Sequence, residues 1–148
     1  MAGIYVECLP VGAFQENCYL VVNAETRGCL IVDPGAEGER IIRAAQEYKP
    51  AAVLLTHAHW DHIGAVDAVC GHFGIPLYVH EADAPKLTDS TKNVARQFGC
   101  DVTVATRPHL LHGGETLFLA DMEIRVLHTP GHSAGSVCYL LPQGQGVL

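Results

Sequence analysis

The segment Ala51-Ala52-Val53-Leu54-Leu55-Thr56 is an apolar run, and the chain then reads His57-Ala58-His59-Trp60-Asp61-His62. An unbroken apolar run of this length is what a strand buried on both faces needs, the situation of strands inside parallel sheets covered by helices. This predicts a layered α/β architecture, in which ligands and catalytic groups gather at the carboxyl ends of strands. The histidines follow at that end.

Their spacing carries the chemistry. In an extended loop, residues i and i+2 point the same way, so His57 and His59 can converge on one point while Ala58 faces elsewhere. Asp61 and His62 follow where the chain turns into a helix and aim at a second point, which predicts room for two metal ions. Imidazole nitrogens and a carboxylate oxygen suit zinc, iron or manganese, and no thiolate lies close enough for a closed structural zinc knot. A polar loop of surface histidines accounts for the composition but not for the spacing.

The 148 residues are expected to form one domain, 1–148. Hydrophobic residues make up 49% and charged residues 17%, which argues for a compact globular chain rather than a disordered one. A formal net charge of −7, with only 9 Lys plus Arg and no cluster of them, leaves no footprint for nucleic acid or an anionic membrane. Neither is an expected partner, and an acidic bulk does not forbid a small-molecule substrate that is anionic, because two divalent cations would dominate the field inside the site. The six cysteines contain no C-x-x-C pair and sit mostly in apolar segments, as buried thiols of a reducing compartment do. The segment Met1-Ala2-Gly3-Ile4-Tyr5-Val6-Glu7 has neither the basic nor the long apolar region of a secretory signal, so a cytoplasmic location is expected.

Along the chain, strands are predicted at Ile4–Leu9, Cys18–Val22 and Cys29–Val32, followed by a turn at Asp33-Pro34-Gly35. A helix is predicted over Glu37–Lys49, stopped by Pro50, and a second where Ile63, Val66, Val69, Cys70 and Phe73 recur at helical spacing before Gly74 and Pro76. Leu77–His80 reads as a strand and Glu81–Gly99 as polar and helical in pieces. A hairpin of Thr116–Ala120 and Glu123–His128 is expected to pivot on Asp121-Met122, with a last strand at Ser136–Leu141.

A second cluster, His128-Thr129-Pro130-Gly131-His132-Ser133, lies just before that last strand. Pro-Gly forces a turn that can carry His132 across to the point shared by His57 and His59. The stretches Thr56 to Ala65 and His128 to Ser136 together resemble the metallo-β-lactamase superfamily, and within it the glyoxalase II group of thiolester hydrolases, especially its small one-domain members. The likeness extends to Asn17-Cys18-Tyr19-Leu20, Ile31-Val32-Asp33-Pro34-Gly35 and Leu111-His112-Gly113-Gly114-Glu115-Thr116.

The resemblance implies an αββα sandwich with a two-metal site between the sheets. His57, His59 and His132 would hold the first ion, and Asp61 with His62 the second. Asp33 would support the loop from behind, while His128, His72, His80, His109 and His112 match no ligand position. The implied activity is hydrolysis of small thiolesters such as S-acylglutathione by a hydroxide that Asp61 orients, with one or two Zn2+ as cofactor and Fe or Mn as substitutes. No Ser-His-Asp nucleophile arrangement is visible, which favours metal-hydroxide over acyl-enzyme chemistry. Two other readings stay open: a mononuclear iron persulfide dioxygenase of the same fold, and a non-catalytic metal-binding fragment or subunit. Family members continue past the last strand into a Gly-Asp that bridges both metals, and later supply one more His. Neither residue occurs before Leu148, so the chain is expected to be a carboxyl-terminally shortened piece with an incomplete second half, and an exposed sheet edge open to oligomerisation.

Overall fold

A computed structural model describes residues 3–142 and 146–148, so Met1 and Ala2 of the amino-terminal segment lie outside the described residues. Nine strands and two α-helices are found there: β1 (Ile4–Val11), β2 (Glu16–Asn23), β3 (Gly28–Val32), α1 (Gly38–Ala45), β4 (Lys49–Leu54), α2 (Val66–Phe73), β5 (Leu77–His80), β6 (Pro108–Leu111), β7 (Thr116–Leu119), β8 (Met122–His128) and β9 (Val137–Leu140). Strands β1 to β6 form one sheet in sequence order, antiparallel from β1 to β3 and parallel from β3 to β6, and β7-β8-β9 form a second, antiparallel sheet.

Period-2 alternation sorts the apolar residues of the central strands into two cores. Leu20 and Val22 of β2, Cys29 and Ile31 of β3, and Val53 of β4 pack with Ile41 and Ala45 of α1 and Val66 and Val69 of α2. The intervening Val21, Leu30, Val32, Ala52 and Leu54 face the other way, onto Ile124 and Val126 of β8 and Val137 and Tyr139 of β9. Both faces of the middle strands are thus covered, which is why they read as continuous apolar runs. The outer sheet alternates instead: Met122, Ile124 and Val126 are buried while Glu123, Arg125 and Leu127 face out. The order of layers is helices, sheet, sheet, an αββα sandwich with its second half incomplete among the described residues. Gly146 and Leu148 hydrogen-bond to Leu141 and Tyr139, and Val147 bridges Leu140, so residues 146–148 line the edge of β9.

Several boundaries differ from the sequence reading. The helix expected to reach Lys49 ends at Ala45, because Lys49 and Pro50 already pair in parallel with Gly28 and Cys29, and sheet pairing outweighs a helical apolar pattern. β1 runs through Pro10 to Val11 because it is the edge strand, where a missing N–H costs little. The hairpin pivots on Ala120-Asp121, both at positive φ, one residue earlier than expected. β6 was not foreseen, since only Leu111 in it is buried. The polar stretch from 81 to 99 does contain short 3-10 turns at Ala84–Thr88 and Ala95–Phe98. Cys18, Cys29 and Cys70 are buried free thiols, but Cys8 and Cys100 are exposed. No helix among the described residues is long and apolar enough to cross a membrane.

Candidate metal centre

Parallel pairing places the ends of β3 and β4 side by side, and each end delivers part of the site. The residue after β3, Asp33, is buried and accepts hydrogen bonds from the backbone N–H of Thr56 (2.8 Å) and from its hydroxyl. Asp33 takes φ 54°, a left-handed conformation that Asp tolerates better than most residues. Beneath the loop a Cβ on Gly35 would lie 1.8 Å from the carbonyl oxygen of Asp61, so only glycine lets the two segments approach this closely.

The second sheet brings in the distant cluster. Fully buried Tyr139 donates its hydroxyl to the Leu55 carbonyl (2.5 Å), and the Val137 N–H donates to the Thr56 carbonyl (2.8 Å). These bonds clamp the start of β9 to the end of β4, and the loop between β8 and β9 then carries His132 over the histidine loop. The three rings of His57, His59 and His132 stand almost equidistant, with centroids 4.8, 4.8 and 4.7 Å apart. Their ligand atoms all lie within 4.8 Å of one another, and His59 Nδ1 is 3.1 Å from His132 Nε2.

The nitrogens are available in the form a metal needs. His57 faces the Thr56 hydroxyl with Nδ1 (3.1 Å), and its buried Nε2 has no hydrogen-bond partner. A buried polar atom without a partner is costly, and an ion bound there would satisfy it. Burial, reinforced by repulsion from His62, lowers the His57 pKa to about 4, while burial and then the neighbouring His132 lower that of His59. Both rings are therefore neutral at neutral pH and have free lone pairs.

His62 and Asp61 sit one step away. His62 Nδ1 lies 2.9 Å from Asp33 Oδ2 and 3.2 Å from Glu16 Oε1, the carboxylate–imidazole arrangement that fixes the tautomer of a metal-binding histidine. Burial opposes protonation of His62, but the hydrogen bonds to Asp33 and Glu16 outweigh it and raise the pKa to about 10. Its Nε2 faces Asp61 Oδ2 at 3.9 Å, too long for a hydrogen bond yet within the roughly 4 Å that two ligands of one ion span. Asp61 joins neither three-residue cluster: the one that contains His62 comprises Asp33, His57 and His62. Of the other histidines, His80 and His128 stack on each other at 4.0 Å, and neither they nor His72, His109 or His112 join a cluster.

Two residues that bear on the site had no role in the sequence reading. Glu16 opens β2 with both carboxylate oxygens buried, and desolvation lifts its pKa to about 7, partly offset by His62. A charged residue at the head of an apolar strand was the available signal. Asp83 is wholly buried and ties the two histidine loops together. It accepts from the Ala58 N–H (2.7 Å), the Gly135 N–H (2.8 Å) and the Ser133 hydroxyl (2.6 Å), and it pairs with Lys86 Nζ at 3.1 Å. Burial opposes its ionisation, but these bonds outweigh that and hold its carboxyl below the usual range. Nothing local in the sequence marks it.

Comparison with known proteins gives a consistent result. The family described as "Metallo-beta-lactamase superfamily" matches residues 11–148. The chain is 39% identical over 143 residues to the "Probable metallo-hydrolase YqgX" of Bacillus subtilis (strain 168), covering 95% of this chain and 67% of that protein. It is 34% identical over 139 residues to the "Hydroxyacylglutathione hydrolase GloC" of Haemophilus influenzae, covering 91% of this chain and 65% of that protein. Among solved structures, the BLEG-1 B3 metallo-beta-lactamase superposes with a TM-score of 0.91 at 38% identity, over 97% of this chain and 70% of that one. The chain thus spans about two thirds of the length of these curated relatives.

Proposed function

The chain belongs to the metallo-β-lactamase superfamily, and on that premise we propose that its histidine centre serves a metal-dependent hydrolase of small thiolesters. The observation that carries this reading is the ring of three imidazoles, 4.7 to 4.8 Å apart, around a buried His57 Nε2 without a partner. His57, His59 and His132 would hold one divalent ion, and His62 with Asp61 would hold a second. The 34% identity to a hydroxyacylglutathione hydrolase supports a thiolester as the substrate class.

When bound, a divalent cation supplies a water acidic enough to ionise near neutral pH and a positive charge that polarises the carbonyl. The remaining roles fall to the protein. Asp61 accepts a hydrogen bond from the attacking water and orients it. Asp33 keeps the proton of His62 on Nδ1, so that Nε2 faces inward. Asp83 holds the backbone of both loops, and with it the spacing of His59 and His132. A thiolate leaves without a proton, so no general acid is required of the protein.

The test is reconstitution of the chain with Zn2+, Fe2+ or Mn2+, metal counting, and an S-acylglutathione assay. The proposal expects turnover that depends on the ion and that falls in His132→Ala by more than the about 10- to 100-fold that loss of an outer-shell partner costs. A fully loaded chain that hydrolyses no thiolester would overturn it.

A further inference from the structure

Beside the histidines the structure holds a cavity of about 390 Å³ whose walls are Phe14, Trp60, Val94 and Phe98. Its floor is His59, His132 and Asp61, so it opens directly onto the proposed metal centre. The three aromatic rings pack against one another, Phe14 on Trp60 at 5.7 Å, Phe14 on Phe98 at 5.3 Å and Trp60 on Phe98 at 5.3 Å. They come from three separate stretches of sequence. The wall is built in place: the Trp60 N–H donates to the Asn93 carbonyl (2.9 Å), and the side chain of fully buried Asn93 bonds the carbonyls of Lys86 and Val102 and the N–H of Ala95. Val94 is held at φ 74°, a conformation costly for a β-branched residue, and such strain persists where the surroundings fix it. Phe14 is 57% exposed and Phe98 52% exposed, a large apolar area to leave in water.

We infer that this cavity is the acyl subsite of the hydrolase and that it selects thiolesters whose acyl group is apolar, a straight aliphatic chain or an aromatic ring. The inference rests on the hydrolase reading of the adjoining histidines. Continuity with His59 and His132 places any group in the cavity next to the attacked carbonyl. No Lys or Arg lines the cavity to pair with a carboxylate. The carboxylates of a glutathione moiety therefore belong outside it, and the apolar acyl arm belongs inside. Burying one methylene against such walls strengthens binding about fourfold.

Trp60 is the sole tryptophan of the chain, so its emission reports occupancy of the cavity without any need for turnover. The experiment titrates the metal-loaded 148-residue chain with acetate, butyrate, hexanoate and octanoate, reading Trp60 emission and heat, alongside hydrolysis of acetyl and hexanoyl thiolesters. Affinity is expected to rise about fourfold per methylene from butyrate to hexanoate. The half-exposed rings permit Phe14→Ala and Phe98→Ala without threat to the core, and each is expected to weaken hexanoate at least fivefold while leaving acetate within twofold. Equal affinity across the series, or an unchanged slope in both variants, would overturn the inference. Chain-length-dependent binding without thiolester hydrolysis would sink the thiolester reading and keep the subsite; hydrolysis with flat binding would do the reverse.

Discussion

Replacement of Asp83 by alanine tests whether the two histidine loops are held together by one buried carboxylate. The change removes the acceptor of the Ala58 and Gly135 N–H groups, both on buried residues, together with the partner of the Ser133 hydroxyl and of Lys86. Each buried N–H left unsatisfied costs about 1–3 kcal/mol. Breaking a buried ion pair by removing one member costs about 3–5 kcal/mol. These contributions overlap, since one side chain provides both, so a loss of about 3–5 kcal/mol is expected. For a chain of this length that corresponds to a Tm lower by about 10–15 °C, read by thermal unfolding. The spacing of His59 and His132 should loosen as well, with metal affinity falling about 10- to 100-fold, as it does when a group that orients ligands is lost. Val21→Ala, a truncation between the sheets far from the loops, controls for stability alone. If Asp83→Ala binds metal within twofold of the parent, or if Val21→Ala weakens metal as much, the staple argument is refuted.

Acid titration gives a related expectation. The Asp83 carboxyl is held below its ordinary value of 3.8, so its contribution is intact at neutral pH and is lost as pH falls below about 4; Asp83→Asn should flatten that acid limb in pH-dependent unfolding. His57 and His59, shifted below 6.5, are already neutral at pH 7.5 and yield no proton to an incoming ion, whereas His62, raised to about 10, must give up one. Calorimetry in buffers of different ionisation enthalpy should therefore find about one proton released as the second ion binds, with its affinity rising as pH rises; no release at that step would contradict the assignment of His62. Gly35→Ala drives a Cβ into the Asp61 carbonyl and should cost about 2–3 kcal/mol in denaturant unfolding while impairing the second ion. By contrast Gly71→Ala, on the exposed side of α2 with nothing within 4 Å, should stabilise by about 0.5–1 kcal/mol.

What the sequence showed of this architecture was local. The double-faced burial of β3 and β4 was legible because it forces continuous apolar runs, and the histidine motif was legible because its members lie within six positions at the end of such a run. β6 escaped notice because a strand with one buried residue carries little pattern. The truncated α1 shows the opposite failure, a helical periodicity overridden by pairing with β3. Asp83 and the ring of Phe14, Trp60 and Phe98 were invisible for a different reason. Each meets partners tens of residues away, and no local period records such a meeting. His132 lay between these cases: the Pro-Gly turn suggested that it could cross to the first loop, but the clamp that brings it there, Tyr139 to Leu55 and Val137 to Thr56, appears only in three dimensions.

The most direct test of the central claim is X-ray absorption at the metal edge, with the first ion loaded at one equivalent into the parent chain, His132→Ala and His112→Ala. Three imidazole nitrogens at about 2.0–2.1 Å are expected in the parent and in His112→Ala, and two in His132→Ala. An ion whose shell is unchanged by loss of His132 would show that residues 57, 59 and 132 do not share it, and the proposed hydrolase would have no centre.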